Sequence, residues 1–140
     1  MKLSAKTEYA CLAMLQLAAD HESGEPVQIR RLAEEHGIPS RFLVQILLQL
    51  KGAGLVASTR GASGGYRLAK SPHDISLADV IEVMEGEERL DSNATKTTPL
   101  VRVLAELCSE LGEAQRDRLD TTSLADLVEQ AAAREPMWYI

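Results

Sequence analysis

Within residues 40–69 the hydrophobic pattern changes from a helical to a strand-like period, and this change constrains the fold more than any other feature of the chain. Apolar residues recur first at the i, i+3, i+4 and i+7 spacing of one helix face. They are Leu43, Ile46, Leu47 and Leu50. Because Ser40 is a favourable N-cap residue and Gly52 a favourable stop, we predict a helix over Arg41–Ala53 with this stripe in the core.

A β-hairpin is predicted directly after this helix. Two short β-capable runs, Leu55–Ser58 and Tyr66–Ala69, flank the segment Thr59–Gly65, which holds three glycines and one arginine, Arg60. Short strands joined by a glycine-rich segment are typical of a hairpin with a long tip.

The segment before the helix completes a recognisable arrangement. Ile29–His36 has the pattern of a helix with Ile29, Leu32 and Ala33 inward, and Gly37 begins a tight turn. Helix, short turn, helix and basic hairpin is the layout of a winged helix-turn-helix, in which the second helix enters a DNA major groove and the hairpin contacts the flanking backbone or minor groove. Such helix pairs are also common in small α proteins without DNA function, so periodicity alone leaves both interpretations open.

Charge is distributed unevenly along the chain. The formal net charge is −6, yet residues 1–70 hold nine Lys and Arg against six Asp and Glu, a net +3, whereas residues 71–140 carry a net −9. A basic half is the part suited to a polyanion. We therefore predict that any nucleic-acid-reading part lies in the first half.

The rest of the chain predicts a mainly α fold. Helices are expected over Lys6–Asp20, from the capping box at Ser76 through Met84, from Thr98 to about Leu119, and over Ser123–Arg134. The polar segment 87–97 has no periodicity. We therefore divide the chain into a winged helix-turn-helix domain at 1–86, a linker at 87–97, and a dimerisation helix with a C-terminal helix and tail at 98–140.

The helix that begins at Thr98 follows the winged domain, which already has its own core. This helix carries a further apolar stripe. Its length would be roughly 30 Å at 1.5 Å per residue. The stripe residues predicted to form a homodimer contact are Leu100, Val103, Leu104, Leu107 and Leu111. The apolar tail at 136–140 is expected to dock rather than stay exposed.

Other classes of function lack their motifs. The three histidines have neither a partner at i+4 nor a cysteine at zinc spacing, the glycines at 61, 64 and 65 lack the ending of a P-loop, and no nucleophile-and-base pair is evident. We predict no metal site, no catalytic residues and no enzyme. The two cysteines lie in apolar helical patterns, no apolar run approaches membrane-spanning length and the first residues do not form a signal peptide, so we predict a cytoplasmic protein without membrane contact.

Several segments together carry a family resemblance. They are MKLSAKTEYA at the start, RRLAEEHGIPSRFLVQILLQLKGAGLV in the middle, and RGASGGYRLA next to ISLADVIEVMEG. With these the sequence resembles the bacterial Rrf-two family of dimeric winged-helix transcription regulators, which includes iron-sulfur-cluster-sensing, nitric-oxide-sensing and cysteine-metabolism repressors. The match covers roughly residues 1–86, and the long helix fits the family's dimerisation region.

The resemblance implies roles for particular residues. Those expected to meet double-stranded DNA are Ser40, Arg41, Phe42 and Gln45 on the recognition helix and Arg60, Gly61, Gly64, Gly65 and Tyr66 on the wing. Arginine can pair with phosphate or guanine, glutamine with adenine, and glycine lets the wing backbone approach a phosphate. The expected function is a homodimeric transcription regulator, a repressor, on a pseudo-palindromic operator. The alternative is a winged-helix module whose half-apolar outer face, with Val44 and Leu48, binds a partner protein.

Two departures from the family pattern matter. Val44 stands where the family often has an acidic residue; a valine cannot accept a hydrogen bond from cytosine but can contact a thymine methyl group. Cluster-binding members place three closely spaced cysteines after the fourth helix, and residues 87–107 contain none. We therefore predict no cofactor, an iron-sulfur cluster included, and helix packing as the role of Cys11 and Cys108. The signal stays open among a lost cluster, a small molecule, a partner protein and a thiol switch at Cys108.

Overall fold

The computed structural model describes residues 2–86 and 93–135, which form six helices and one two-stranded sheet. The helices are α1 (Ala5–Ala19), α2 (Ile29–His36), α3 (Ser40–Gly52), α4 (Leu77–Glu85), α5 (Pro99–Asp120) and α6 (Leu124–Arg134). The strands are β1 (Val56–Thr59) and β2 (Gly65–Leu68), and single 3-10 turns lie at His21–Ser23 and Pro72–Asp74. The predicted fold class, mainly α with a winged helix-turn-helix, is confirmed.

Helix α1 lies at the centre of the core. Its residues Ala10, Ala13 and Met14 are completely buried, and the helix packs against α3, α4 and α6. Ser4 caps its start, accepting a hydrogen bond from the amide of Thr7 at 3.2 Å. Apart from the exposed Lys6 and Glu8 in its first turn, the helix is largely apolar, and such a helix is expected in the interior.

The core stripe predicted for α3 is confirmed. All four of its residues, Leu43, Ile46, Leu47 and Leu50, have no exposed surface. Burying side chains of this size contributes about 1.5–3 kcal/mol each. With one face held inside, the opposite face of α3 must point outward.

The prediction that Ser40 caps α3 is wrong. Ser40 is the first helical residue and Pro39 is the N-cap residue; the carbonyl oxygen of Pro39 accepts from the amides of Phe42 at 3.0 Å and Leu43 at 3.3 Å. Proline has no N–H to satisfy and its φ of −60° suits this position, so the helix begins one residue earlier than predicted.

The wing strands lie one residue from their predicted positions. Leu55 falls outside β1, because its amide donates to the carbonyl oxygen of Leu50 at 3.0 Å and so completes the end of α3. The antiparallel register pairs Val56 with Leu68 and Thr59 with Gly65. The wing tip is therefore residues 60–64.

The C-terminal part of the described chain returns to the core. Helices α4 and α6 both begin with the predicted serine–aspartate capping box, and Ser76 and Ser123 form an antiparallel β-bridge. Leu124, at the start of α6, is completely buried in the same core as α1. The division into three parts stays a prediction. Residues 87–92 of the predicted linker and the tail 136–140 lie outside the described residues.

Candidate nucleic-acid interface

The outward face of α3 begins at the turn that follows Gly37. Gly37 has φ +63°, a left-handed conformation that favours glycine, and it ends α2 so that α3 can start three residues later. Arg41, Val44, Gln45 and Leu48 are all exposed on α3, and Leu48 retains 57% of its surface. The predicted outer face is thus a surface of the molecule, with Ser40 exposed at its start.

Arg41 lies against an aromatic ring. Its guanidinium carbon is 5.0 Å from the centroid of the Phe42 ring, within the range of a cation–π contact. The Phe42 ring lies 6.1 Å from the ring of Tyr9 on α1, at an interplanar angle of 43°. Side chains from two helices therefore form a row of three at the start of α3.

The arginines of α2 and those of the predicted interface differ in their partners. Arg31 pairs with Glu35 at 2.9 Å and with Asp20 at 3.2 Å, and hydrogen bonds to these carboxylates raise its pKa; Arg30 pairs with Glu34 at 3.7 Å. Across residues 2–86 and 93–135, neither Arg41 nor Arg60 has an ion-pair partner. Arg41 on the first turn of α3 and Arg60 on the wing tip therefore carry positive charge that no carboxylate of the described residues neutralises.

The wing glycines have different roles. A Cβ atom at Gly64 would overlap the carbonyl oxygen of Thr59, and one at Gly65 would overlap that of Val27, so both glycines are required by the chain itself. Gly61 has φ +105° with open space around it. Of the three predicted wing glycines, Gly61 is the one whose backbone has open space for a ligand to approach. Contact of any of the three with DNA stays a prediction.

Tyr66 is only half-exposed and its side chain packs against the core. Its amide and carbonyl exchange hydrogen bonds of 2.8 Å with Val27, which adds a third short segment to the edge of the wing. Its position favours a role in fastening the hairpin to the segment before α2.

Two residues that hold the wing in place were not identified from the sequence. The side-chain amide of Gln28, the N-cap residue of α2, donates to the carbonyl oxygen of Ala62 at 3.1 Å. The ammonium group of Lys51 at the end of α3 donates to the hydroxyl of Ser58 at 2.7 Å. No local pattern predicts such contacts, because the partners meet only when the hairpin folds back onto the helices.

Helix α5 presents an apolar stripe to solvent. The side chains of Leu100, Val103, Leu104, Leu107 and Leu111 are between 52% and 83% exposed in this single chain. The helix has 22 residues, which is about 33 Å at 1.5 Å per residue. A continuous exposed apolar stripe of this length is characteristic of a contact surface.

The two thiols differ in burial. Burial, together with the negative charges of Glu85 and Glu8, raises the pKa of the Cys11 thiol from 9.0 to about 11, whereas Cys108 is half-buried on α5. In the part of the chain that the structure describes, no three His, Cys, Asp or Glu residues are grouped as metal ligands. No helix in that part is long and apolar enough to cross a bilayer.

Comparison with known proteins decides the family. The Rrf2 family model, described as "Iron-dependent Transcriptional regulator", matches residues 3–130. The chain belongs to the Rrf2 family. The HTH-type transcriptional regulator CymR of Bacillus subtilis is 34% identical over an alignment of 142 residues that covers 100% of each chain. The HTH-type transcriptional regulator IscR of Vibrio campbellii is 42% identical over 85 residues, or 61% of this chain and 50% of that protein.

Solved structures of Rrf2 relatives have the same fold. The structure of CymR, the global cysteine regulator of B. subtilis, superposes with a TM-score of 0.82 at 33% identity, covering 93% of this chain and 98% of that one. T. potens IscR superposes with a TM-score of 0.80 at 34% identity, covering 99% and 95%. The predicted family and winged-helix fold are confirmed.

The family description names iron, and the donors of this chain do not fit a cysteine-held cluster. The whole sequence has two cysteines. Cys11 is buried in the core among apolar neighbours, where its raised pKa disfavours the thiolate that binds metals. Cys108 lies on α5 without a second cysteine nearby in sequence. The two cysteines of this chain therefore do not supply the ligands of a cluster held by three cysteines.

Proposed function

We propose that this Rrf2 protein is a homodimeric transcription regulator, a repressor, that binds a pseudo-palindromic operator in double-stranded DNA. The observation that carries the proposal is the contrast between the arginines. Arg30 and Arg31 are neutralised by neighbouring carboxylates, whereas Arg41 and Arg60 are exposed and, in the described ranges, without ion-pair partners. Unpaired cations on a helix-turn-helix and its wing are suited to phosphate and to base edges.

The exposed face of α3 supplies the base-reading groups. Arg41 can donate two hydrogen bonds to guanine, Gln45 can pair with adenine, and the Val44 methyl groups can contact the methyl group of thymine. Ser40 at the start of the helix can donate to a phosphate. Arg60 and the open backbone at Gly61 would follow the flanking phosphates or the minor groove.

Dimerisation would use the exposed stripe of α5. Two copies related by a two-fold axis can bury Leu100, Leu104 and Leu107 against the same residues of the partner. The two α3 helices would then read half-sites about one helical turn apart. An effector would regulate binding by changing the spacing between the two winged domains; its identity stays open among a small molecule, a partner protein and a thiol modification at Cys108.

The proposed activity is binding rather than catalysis. A relative that matches over the full length is named a transcriptional regulator. Regulation of transcription takes place where the bacterial chromosome is. We accordingly propose a cytoplasmic location for the protein.

The test is selection of bound duplexes from a random library with the purified full chain, together with sedimentation equilibrium. We expect a dimer and a motif of two inverted half-sites whose centres are about 10 base pairs apart or a multiple of that spacing. A monomer that retains no duplex at low salt would refute the proposal.

A partner-protein module is the second candidate, because Val44 is 44% and Leu48 is 57% exposed on the same face. The two candidates differ in their dependence on salt. Alanine at Arg41 or Arg60 should weaken DNA binding and flatten its salt dependence. If the face instead binds a protein through apolar contacts, affinity would be nearly independent of salt and of both arginines.

A further inference from the structure

The direction of the Arg41 side chain is a specific feature of the start of α3. Adjacent residues on a helix point about 100° apart and do not normally face each other. The Arg41 guanidinium nevertheless lies over the ring of its neighbour Phe42, 5.0 Å from the centroid. No carboxylate within residues 2–86 or 93–135 forms an ion pair with Arg41, so the aromatic face is the contact that orients it.

The ring of Phe42 is itself supported from below. It is 38% exposed, and its centroid lies 6.1 Å from that of Tyr9 at a tilt of 43°, within the range of favourable aromatic pairs. Tyr9 is half-buried on α1, next to the completely buried Ala10, and packs against the core. The core thus supports Tyr9, Tyr9 supports Phe42, and Phe42 supports the guanidinium.

A restrained arginine is expected to bind more tightly than a free one. A long exposed side chain loses rotamer freedom when it is held against DNA, and this loss opposes binding. A side chain that already has one direction in the free protein loses less. Its restricted reach also allows it to meet fewer base positions, which favours one base over others.

We propose that Tyr9 and Phe42 are a positioning pair that orients Arg41 for its contact with DNA, and that Phe42 acts through Arg41 rather than by touching DNA itself. The inference rests on the proposed function. It assigns a role in recognition to Tyr9, a residue of α1 outside the helix-turn-helix, and it makes the pair a determinant of operator specificity.

The first test is a double-mutant cycle measured by DNA affinity on the selected operator. Phe42→Leu keeps an apolar side chain without a ring and should weaken binding by about two- to fivefold, the range expected for an exposed cation–π contact. In an Arg41→Ala background the same change should have almost no effect. Phe42→Tyr, which keeps the ring, should retain wild-type affinity, and Tyr9→Leu should behave as Phe42→Leu does.

A matched control is available on the same helix. Leu48 is two turns from Arg41 and exposed, so the effect of Leu48→Ala should be the same with and without Arg41. Equal reductions in affinity for Phe42→Leu in both backgrounds would mean that the ring contacts DNA or only stabilises the fold, and would overturn the proposal.

The second test uses the free protein and does not depend on DNA. Nuclear magnetic resonance should show Arg41 Cδ protons shifted upfield by the Phe42 ring, together with Overhauser effects between the two side chains, and both signals should be absent in Phe42→Leu. Random-coil shifts for Arg41 in the wild type would overturn the positioning role. If the shifts are present but no duplex binds, the proposed function fails while the orientation of Arg41 stands.

Discussion

Ser76 and Ser123 face each other across a short antiparallel β-bridge that joins the starts of two helices. The amide of Leu77 donates to the carbonyl oxygen of Thr122, and the amide of Leu124 donates to that of Ile75, both at 2.9 Å. The two segments are SLADVIE and SLADLVE, and each opens its helix with the same capping box. This pairing ties the end of α5 and the start of α6 to the winged part of the fold.

Replacing either serine by alanine should destabilise the protein. Ser76→Ala and Ser123→Ala each remove an N-cap acceptor, so the free energy of unfolding should fall by about 1 kcal/mol. Because the two caps share one bridge, the double variant should depart from additivity by about 0.5 kcal/mol or more. Urea unfolding measures both effects. Ser109→Ala, at an exposed position within α5, is the control and should change stability little. Equal effects at all three positions would contradict the assignment of Ser76 and Ser123 as N-caps.

Gly65→Ala should disrupt the wing. The new Cβ would overlap the Val27 carbonyl at a backbone φ of +156°, and displacing the bridge to Val27 should lower the free energy of unfolding by about 1–3 kcal/mol. Amide hydrogen exchange at Val27 and Tyr66 should become faster. Gly52→Ala is the control: Gly52 is helical with open space, so alanine should stabilise by about 0.5–1 kcal/mol. A fully stable Gly65→Ala variant with protected amides would show that the close approach is unnecessary.

Arg60→Ala and Arg41→Ala should each reduce affinity for the selected operator. If an arginine neutralises one phosphate, its removal should lower the magnitude of the slope of log affinity against log salt by about 0.9. Fluorescence anisotropy titrations over a series of salt concentrations measure the slope. Arg30→Ala removes a charge that is paired with Glu34 at 3.7 Å and should leave the slope unchanged. If all three variants changed the slope by the same amount, only the net charge of the protein would matter.

Leu104→Glu should dissociate the dimer. Leu104 is 63% exposed in the single chain, so the change should not unfold it, but two carboxylates would be buried symmetrically in the contact. The dimer dissociation constant should rise by about a hundredfold or more, corresponding to at least about 2.7 kcal/mol. Sedimentation equilibrium measures it. Ser109→Glu, on the opposite face of α5, should remain dimeric; a dimeric Leu104→Glu variant would place the contact elsewhere.

Stability should fall at alkaline pH because of Cys11. Burial raises the pKa of the Cys11 thiol from its ordinary value of 9.0 to about 11 in the folded protein. Below pH 9 the thiol therefore stays largely protonated in both states, whereas between pH 9 and 11 the unfolded state loses the proton first. The free energy of unfolding should therefore decrease with rising pH, by at most about 1.4 kcal/mol per unit from this group. Urea unfolding from pH 8 to 10 should show a shallower slope for Cys11→Ala. Identical slopes would mean that the thiol is not held protonated by the fold.

Local features of this fold were predictable because their causes are local. The α3 stripe, the capped starts at Ser76 and Ser123 and the turn at Gly37 depend on residues within about four positions of each other, and the structure has them as expected. The prediction of Ser40 as the cap of α3 is wrong since the helix begins one residue earlier, with Pro39 at the N-cap position and no side-chain cap hydrogen bond. Whether the residues inferred by family resemblance contact DNA stays a prediction.

The sequence by itself determined the order and type of the elements, the basic first half and the exposed stripe of α5. The hydrophobic period, the helix caps and the charge distribution all depend on residues that are close together in the sequence. Only the tertiary structure decided that Gln28 holds Ala62, 34 residues away, that Tyr9 supports Phe42, and that Ser76 meets Ser123. Packing around α1 selects these pairs, and no local preference encodes which distant surfaces will meet when apolar area is buried.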